Sequence, residues 1–151
     1  AYAALAPESL HFHGRNRRPP KDPLNATLSL AYTLLHAEAT LAAHAAGLDP
    51  YIGFLHAPAF GRESLASDLI EPMRADVDAW AMALFNKQEL RAEAFSNTVD
   101  GCFLGKAGRE KFYRAWEPMA ENLRKKMENQ AKEITRLIEA DGQKGEAAFA
   151  Q

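Results

Sequence analysis

The sequence predicts an all-α fold, with at most a short extended or hairpin segment near residues 98–104. Three observations support this prediction. Apolar side chains recur at every third or fourth position over residues 24–46, 65–85 and 112–138, which is the spacing of one buried helix face. The first of these stretches begins with Asp22-Pro23, a capping aspartate followed by the residue favoured at the first helical position. A strand-like composition is confined to the TVDGCFL segment, around a turn at Asp100-Gly101.

Length and composition restrict the class of protein. A chain of 151 residues, 47% hydrophobic and 25% charged, has the composition of a soluble domain that can bury a core. The formal net charge of −2 gives no overall indication of nucleic-acid binding, so such a surface would need local clustering. The single cysteine, Cys102, excludes an internal disulfide and suits a reducing cytoplasm. The sequence has no apolar run of about 20 residues and no signal peptide, so we expect a cytoplasmic protein without a membrane partner.

The elements are expected in the following order. AYAALAPESL resembles the end of a helix already under way, so we expect the chain to be the C-terminal piece of a longer protein. The first complete helix is predicted from Pro23 to Gly47, since glycine tolerates the left-handed conformation that ends helices. A second helix is predicted to begin near Ser64 and reach Phe85, with a kink at Pro72 because proline lacks the backbone donor.

The remaining segments give weaker signals. Residues 48–63 are predicted to form a loop whose apolar middle, YIGFL, is a buried strap that holds His56 in a fixed place. A short helix is expected over residues 88–95, and a long amphipathic helix over 107–140 with a break at Pro118. Residues 143–151 are expected to be a disordered tail, which leaves residues 1–142 as one helical domain.

A basic segment precedes the first complete helix. Its sequence, HFHGRNRRPPKDP, contains four cations: Arg15, Arg17, Arg18 and Lys21. The prolines forbid a regular helix or a central strand here. A rigid, extended segment with guanidinium groups is suited to phosphate oxygens, which arginine can bind with two donors. A solvated, charged loop remains the alternative.

The segment GFLHAPAFGRESLASDLIE suggests a divalent-metal site. Asp68 and Glu71 lie three residues apart and therefore on one helix face, and the preceding loop presents His56. One imidazole and two carboxylates suit Mg²⁺ or Mn²⁺, and the absence of cysteine ligands argues against structural zinc. Spacing alone leaves a purely structural role open. Such a site would support phosphoryl transfer, because the ion neutralises charge on phosphodiester oxygens.

Other chemistries find less support. The sequence contains no glycine-rich phosphate loop, no G-x-S-x-G elbow and no H-E-x-x-H motif. We expect Cys102 to be a plain buried thiol. His36 and His44 are eight residues apart, too far to bind one ion from a straight helix, and are expected to be surface or boundary side chains.

The chain resembles a known family through three ordered motifs. These are GRNRRPPKDPLNATLSLAY, AAGLDPYIGFLHAP and GRESLASDLIEPMR, with a weaker likeness through LGKAGREKF. They are similar to consecutive motifs of CRISPR-associated protein 1, the CRISPR adaptation integrase family, over roughly residues 10–115. The resemblance implies the all-helical catalytic domain of that family. It also implies a small N-terminal β domain, which is absent from this sequence.

The resemblance also implies an activity and its residues. The family joins a 3′-hydroxyl DNA end to a phosphodiester of the CRISPR repeat, and it shows metal-dependent nuclease activity. By the same resemblance His56 and Glu71 bind the Mg²⁺ or Mn²⁺ ion and, with Asp68, are the catalytic residues. Asn25 and Tyr32 lie near the site. The four cations of the basic segment contact double-stranded DNA, the new spacer fragment and the repeat. The implied partners are a second copy of the chain and a dimer of CRISPR-associated protein 2.

One departure from the family pattern affects the site. The family's first glutamate ligand lies in an E-G-x-x-A motif on a preceding helix, and this motif does not occur here. We therefore expect these 151 residues alone to bind metal weakly and not to catalyse. Two other functions remain open. One is a catalytically inactive helical module that binds DNA or protein, and the other is a metal-dependent hydrolase of small phosphoesters.

Overall fold

A computed structural model describes residues 6–16, 18–57 and 59–149, with side chains described as far as residue 143. The expected helix end at residues 1–5 lies outside this range. The chain divides into two compact units. Unit 1 comprises Ala1–Leu34 and Met73–Ala120, and unit 2 comprises Leu35–Pro72 and Glu121–Gln151. The expectation of a single helical domain over residues 1–142 stays a prediction.

The regular secondary structure of the described chain is helical apart from one short hairpin, which confirms the predicted all-α class. Its elements are α1 (Pro23–Ala45), α2 (Ser64–Ile70), α3 (Arg74–Asn86), β1 (Phe95–Thr98), β2 (Gly101–Leu104) and α4 (Lys106–Phe149). Single 3-10 turns cover Glu8–Leu10, Glu71–Met73 and Ala92–Ala94. None of the helices in the described part of the chain combines the length and apolar composition that a bilayer crossing needs.

Both ends of α1 follow the sequence prediction. At its start the Asp22 carboxylate accepts the backbone N–H of Asn25 at 2.8 Å, the hydrogen bond expected of a capping aspartate. At its end Gly47 has φ +74°, in the left-handed region that favours glycine. Apolar residues of the helix are buried at the predicted spacing, among them Leu24, Leu28 and Leu35. The capping hydrogen bond, the glycine after the helix and the helical spacing of its apolar residues therefore account for the bounds of α1.

Pro72 divides the second predicted helix. α2 ends at Ile70, the chain makes a 3-10 turn over Glu71–Met73, and α3 starts at Arg74. This confirms the predicted distortion, since proline cannot donate to the preceding turn. Glu71 therefore lies in the turn rather than in α2.

The segment after α3 differs from the prediction. Instead of a short helix over residues 88–95, the structure has one 3-10 turn, and Gln88 adopts φ 59° after the end of α3. The hairpin is longer than the predicted segment, because β1 and β2 pair antiparallel from Phe95 with Leu104 to Thr98 with Gly101. The Phe95 ring packs against the buried ring of Phe85, and their centroids lie 6.0 Å apart. A tertiary contact thus favours strand over helix here.

α4 is continuous where a break was predicted. The helix passes through Pro118, where the sequence predicted a break, and it reaches Phe149. The predicted disordered tail covers residues 143–151, of which 150 and 151 lie outside the described residues. Pro118 is exposed, and the apolar residues on either side of it, Trp116 and Ala120, are buried. Burial of the flanking turns offsets the one lost hydrogen bond. Alanine, glutamate and lysine in the last segment are strong helix formers, which favours continuation.

Each unit has its own buried side chains. In unit 1, the Trp80 ring makes edge contacts with Phe112 and Trp116 at centroid distances of 5.4 and 5.3 Å. Such aromatic pairs contribute about 0.5–1.5 kcal/mol beyond their buried area. In unit 2, buried apolar residues come from α1, α2 and α4, and they include Leu35, Ala39, Ala42, Ala43, Leu65, Ala66, Leu69, Ile70, Leu123, Met127 and Ala131.

The continuity of α4 can be tested at its proline. Pro118→Ala restores a backbone donor in an exposed helical position, so we expect the free energy of unfolding to rise by about 1–3 kcal/mol. Chemical denaturation followed by circular dichroism measures this change. Lys111→Ala, an exposed change in the same helix, is the control and should alter stability by less than about 0.5 kcal/mol. A loss of stability in Pro118→Ala would show that α4 is interrupted there.

Candidate functional site

The loop that carries His56 is organised around one buried carboxylate. The Asp68 side chain, on α2, accepts the backbone N–H groups of Phe54 at 2.6 Å, Leu55 at 2.9 Å and His56 at 3.0 Å. It also bonds the His56 ring through Nδ1 at 2.5 Å. The Asp68 side chain is completely buried, while that of His56 is 28% exposed. Asp68 therefore fixes both the backbone and the ring of His56.

Hydrogen bonding also determines the protonation of Asp68. Burial alone would raise the pKa of this carboxyl group, because a charged group is poorly solvated inside the protein. The hydrogen bonds from Leu55, the His56 ring, and the N–H groups of Phe54 and His56 stabilise the charged form and outweigh burial. The net result is a pKa below the usual range of aspartate. Asp68 is thus an anion that holds the loop at neutral pH.

Gly53 is required for this arrangement because the loop passes very close to α2. A Cβ atom at this position would lie 2.7 Å from Asp68 Oδ2, 2.8 Å from Ser64 Cβ and 2.9 Å from the His56 carbonyl oxygen. Real Cβ atoms essentially never approach so closely. The glycine in GFLH therefore serves close approach, not a turn with positive φ.

The apolar middle of the loop is not the buried strap that the sequence predicted. Tyr51, Ile52, Phe54 and Leu55 are 49%, 66%, 64% and 66% exposed. The prediction was wrong because it assumed that apolar packing fixes His56. The hydrogen bonds to Asp68 do so instead, and they leave the apolar side chains at the surface.

The structure brings together two of the three predicted metal-site residues. Asp68 contacts His56, whereas Glu71 lies exposed in the 3-10 turn that follows α2. No group of three His, Cys, Asp or Glu side chains that could hold a metal ion occurs among the described residues. The oxygen atoms of Asp68 are engaged by the loop, so its arrangement is that of a positioning residue. Metal binding by His56 and Glu71 stays a prediction.

His36 has a structural partner that the sequence did not indicate. Its Nδ1 lies 3.2 Å from a Glu63 carboxylate oxygen, which also accepts the Thr40 hydroxyl at 3.3 Å. The contact joins α1 to the residue preceding α2. His44, by contrast, is exposed, as expected.

The basic segment belongs to unit 1 and is held by two asparagines. Asn25, fully buried, accepts the backbone N–H of Asn16 and a guanidinium N–H of Arg15, both at 2.9 Å. Its amide group donates to the Gly14 carbonyl at 2.9 Å and to Asp22 at 2.6 Å. Asn16 donates to the Pro19 carbonyl at 2.6 Å and accepts the Lys21 N–H at 3.2 Å. Apart from Arg17, which lies outside the described residues, hydrogen bonds therefore tie the segment to the start of α1.

The hairpin supports the same segment from β2. The backbone N–H of Cys102 donates to the Pro20 carbonyl at 2.7 Å. A Cβ atom on Gly101 would lie 2.9 Å from Pro19 Cβ and from the Pro20 carbonyl oxygen, so the two backbones are in close contact. Cys102 is buried, as predicted; burial and the nearby Asp22 charge raise the pKa of its thiol.

The predicted DNA-binding cations differ in their placement. Arg18 and Lys21 are exposed. Arg15 is also exposed, and its guanidinium lies over the ring of Tyr32, with Cζ 5.7 Å from the ring centroid. Arg17 lies outside the described residues.

Sequence reasoning missed two residues that surround Tyr32. The Tyr32 hydroxyl donates to Asp78 Oδ1 at 2.7 Å, and Arg74 Cζ lies 5.3 Å from the centroid of the Tyr32 ring. Arg74 and Asp78 are four residues apart on α3, a spacing that places them on one helix face. That spacing was the available signal, but a charged pair four residues apart is common on solvated helices.

Comparisons with known proteins identify the family of the chain. A sequence profile of the family described as "CRISPR associated protein Cas1" matches residues 1–118. The CRISPR-associated endonuclease Cas1 1 of Thermodesulfovibrio yellowstonii is 46% identical over 125 residues, which are 82% of this chain and 39% of that protein. The CRISPR-associated endonuclease Cas1 3 of Thermus thermophilus is 47% identical over 118 residues, 78% of this chain and 36% of that protein.

Solved structures show the same fold. A CAS1 protein from Thermotoga maritima matches with a TM-score of 0.81 and 26% identity, over 89% of this chain and 46% of that chain. A partial Cas6-RT-Cas1–Cas2 complex matches with a TM-score of 0.80 and 26% identity, over 93% and 46%. A casposase bound to integration product matches with a TM-score of 0.75 and 25% identity, over 89% and 43%. The chain thus spans less than half the length of each of these proteins.

The close approach at Gly53 predicts a specific defect. Gly53→Ala should displace the loop from Asp68 and lower the free energy of unfolding by about 1–3 kcal/mol, because buried hydrogen bonds are lost. The His56 ring signals in a proton NMR spectrum should shift at the same time. Gly142→Ala, in a position with no atom within 4 Å of the added Cβ, is the matched control. Unchanged His56 signals in Gly53→Ala would contradict the proposed role of this glycine.

The lowered pKa of Asp68 predicts a pH dependence of stability. Because the folded state has the lower pKa, the stabilisation is present above the usual aspartate value and is lost as the pH falls through the folded pKa. We therefore expect the free energy of unfolding of the unaltered chain to fall between about pH 5 and pH 2. Asp68→Asn should be less stable at neutral pH by about 1–3 kcal/mol and should show a smaller slope in this range. Exposed Asp100→Asn is the control, and equal slopes in all three chains would refute the assignment.

Proposed function

We propose that this chain, which belongs to the CRISPR-associated Cas1 family, is the helical part of a divalent-metal-dependent DNA integrase and endonuclease of CRISPR spacer acquisition. In the proposed reaction the 3′-hydroxyl oxygen of a DNA end attacks the phosphorus of a phosphodiester in the CRISPR repeat. A new P–O bond forms, the existing bond from phosphorus to the 3′-oxygen of the neighbouring nucleotide breaks, and that oxygen leaves as a 3′-hydroxyl, its proton balancing the one lost by the attacking group. The chain spans 39% of the length of the Thermodesulfovibrio yellowstonii relative. The proposal therefore assigns the activity to the longer protein, to which this chain contributes part of the site.

The observation that carries the proposal is the Asp68–His56 contact. A carboxylate bonded to one ring nitrogen fixes the tautomer and orientation of an imidazole and leaves the other nitrogen for a metal ion. Here the Asp68 carboxylate is hydrogen-bonded to Nδ1 of the His56 ring, and the same carboxylate accepts backbone N–H groups of the loop. Since the His56 side chain is 28% exposed, its Nε2 is the donor that we assign to the ion.

The chain's own residues fit only part of a metal site. His56 and Glu71 would hold the ion, with Asp68 as the residue that positions His56. One imidazole and one carboxylate suit Mg²⁺ or Mn²⁺. Among the described residues, no group of three His, Cys, Asp or Glu side chains is arranged to hold the ion by itself. When bound, the ion supplies neutralisation of the charge on the phosphodiester oxygens. We propose that the remaining acidic ligand comes from the upstream E-G-x-x-A helix of the family, which this sequence lacks.

The proposed partners are double-stranded DNA, a second copy of the chain and a dimer of CRISPR-associated protein 2. Support comes from relatives: one structural neighbour is a casposase bound to integration product, and another is a Cas1–Cas2 complex. In this chain the basic segment offers Arg15, Arg17, Arg18 and Lys21 to phosphate groups. Such contacts position DNA without reading its sequence.

A second candidate is a catalytically inactive helical module that binds DNA or protein. It is favoured by one observation, that no three metal-binding side chains come together among the described residues. The two candidates differ in the effect of removing His56 from a chain that includes the upstream helix.

The decisive experiment measures strand transfer. A chimaera joins the preceding part of the Thermodesulfovibrio yellowstonii relative to this chain, and is compared with the chain alone. Both receive Mn²⁺, the Cas2 partner, a duplex with a 3′-hydroxyl end and a plasmid carrying the repeat. We expect transfer by the chimaera only, and we expect His56→Ala to reduce it at least 100-fold while duplex binding is retained, because the proposed metal donor is lost.

The strand-transfer assay also provides a control and separates the integrase from the two alternative functions. His44→Ala, an exposed histidine on α1, should leave transfer unchanged. Equal transfer in His56→Ala and the unaltered chimaera would favour the inactive module and give His56 a structural role. Cleavage of a small phosphodiester without DNA would instead favour the small-phosphoester hydrolase.

A further inference from the structure

We propose that Ser64 is a second positioning residue for His56 and that it holds the chain that follows this histidine. The inference deepens the proposed function and rests on it for the role of His56 as the metal donor. Ser64 and Asp68 are four residues apart on α2, so both lie on the helix face that meets the loop. The loop and both side chains belong to unit 2.

Asp68 and Ser64 bond the backbone on opposite sides of His56. Asp68 accepts N–H groups of the loop up to that of His56, at 3.0 Å. The Ser64 hydroxyl donates to the carbonyl group of Ala57, the next residue, at 3.2 Å. Each residue has two soft backbone dihedrals, one on either side of Cα, so its side chain has a fixed direction only when both are restrained. A carboxylate only accepts hydrogen bonds and cannot hold a carbonyl group, whereas a hydroxyl can.

The first turn of α2 also holds the start of the loop. The Leu65 N–H donates to the Pro50 carbonyl at 2.9 Å, and Pro50 is buried. Two neighbouring residues of α2, Leu65 and Ser64, therefore tie the chain before and after His56 to one place. Two such ties limit the conformations of the segment between them, because a closed loop has fewer conformations than an open one. A metal donor needs a position that is defined in this way.

The hydroxyl of Ser64 does not follow the usual pattern of a helical serine. Ser67 does follow it, since its hydroxyl donates to the Glu63 carbonyl at 3.1 Å, four residues earlier in the chain. Ser64 is completely buried, and its hydroxyl donates instead to a loop residue seven positions earlier. The loop therefore sets the direction of this hydroxyl, and the local geometry of the helix does not.

The competing explanation is that Ala57 only satisfies the buried hydroxyl of Ser64 and has no effect on His56. A buried donor needs an acceptor, and the exposed Ala57 could bond water through its carbonyl if the hydroxyl were removed. This explanation predicts that the loop is unchanged without the hydroxyl. Ser64→Ala tests it with little other disturbance, because alanine keeps the Cβ atom near which Gly53 passes.

The first measurement uses the metal-free 151-residue chain and follows hydrogen–deuterium exchange by NMR. The N–H groups of Leu55 and His56, both bonded to Asp68, exchange when the loop opens. We expect Ser64→Ala to speed their exchange about 2- to 10-fold, as the loss of one hydrogen bond implies, and to shift the His56 ring signals. Ser67→Ala is the matched control, because it removes a hydroxyl of the same helix that bonds the helix start instead of the loop. It should leave the exchange and the ring signals unchanged.

A general loss of stability is recognised from the N–H group of Ala39, which lies inside α1 in the same unit. Its exchange should be equal in Ser64→Ala and in the unaltered chain. A second variant, Ser64→Cys, keeps a weak donor and should change the loop in the same direction by a smaller amount. Equal acceleration at Ala39, Leu55 and His56 in both variants would show a general effect on the unit and overturn the proposal.

A second measurement connects Ser64 to the reaction through the strand-transfer chimaera. We expect Ser64→Ala to lower kcat about 3- to 10-fold and to raise the Mn²⁺ concentration for half-maximal transfer, because His56 spends less time in the competent position. KM for the duplex should not change, since Ser64 is buried and its hydroxyl bonds the loop. Ser67→Ala should leave kcat and the Mn²⁺ requirement unchanged. A rise in KM with unchanged kcat would show a role in binding DNA and overturn the proposal.

Failure of this inference can be distinguished from failure of the proposed function. If loop exchange in the metal-free chain is the same with and without the Ser64 hydroxyl, the inference is wrong, even where the chimaera transfers strands. It is also wrong if Ser64→Ala opens the loop but leaves kcat and the Mn²⁺ requirement of an active chimaera unchanged. If the loop opens as expected and the unaltered chimaera transfers no strands, Ser64 still holds His56 and the integrase proposal fails.

Discussion

The contact between Asp68 and the loop at residues 53–56 is the interaction on which the candidate site depends. One buried carboxylate accepts three backbone N–H groups and contacts the ring of His56. These bonds stabilise the charged carboxylate inside the protein and also satisfy donors that a loop would otherwise leave unpaired. The loop can therefore expose apolar side chains such as Phe54 and still hold its histidine in one orientation.

Unit 1 contains a comparable arrangement based on an amide instead of a carboxylate. Asn25 is buried at the start of α1 and bonds four neighbours, so the basic segment takes its shape from the same residue that helps to begin the helix. The side-chain oxygen of Asn25 accepts from the guanidinium of Arg15, which lies over the ring of Tyr32. A cation is thus held in place here, although the chain as a whole carries a net charge of −2.

Short-range sequence signals predicted most of the helix boundaries. They failed where contacts with residues distant in the sequence determine the secondary structure. Capping at Asp22, the glycine after α1 and the turn at Pro72 depend on neighbouring residues, and each was predicted. Pro118 was predicted to break α4, but burial of the flanking turns keeps the helix continuous. The strand at Phe95 was predicted to be helical, since nothing near it in the sequence indicates its contact with Phe85.

The sequence by itself determined the all-α class, the family through its ordered motifs, and His56, Asp68 and Glu71 as the residues to examine. Helical periodicity suffices for the fold class, and donor chemistry singles out the three residues as candidates. The family rests on the resemblance of the three motifs, which neither periodicity nor donor chemistry could show. Only the tertiary structure decided what each residue does: Asp68 bonds the loop around His56, while Arg74 and Asp78 surround Tyr32. Such partners are 12 to 46 positions apart, and a spacing of that size leaves no periodic trace in a single sequence.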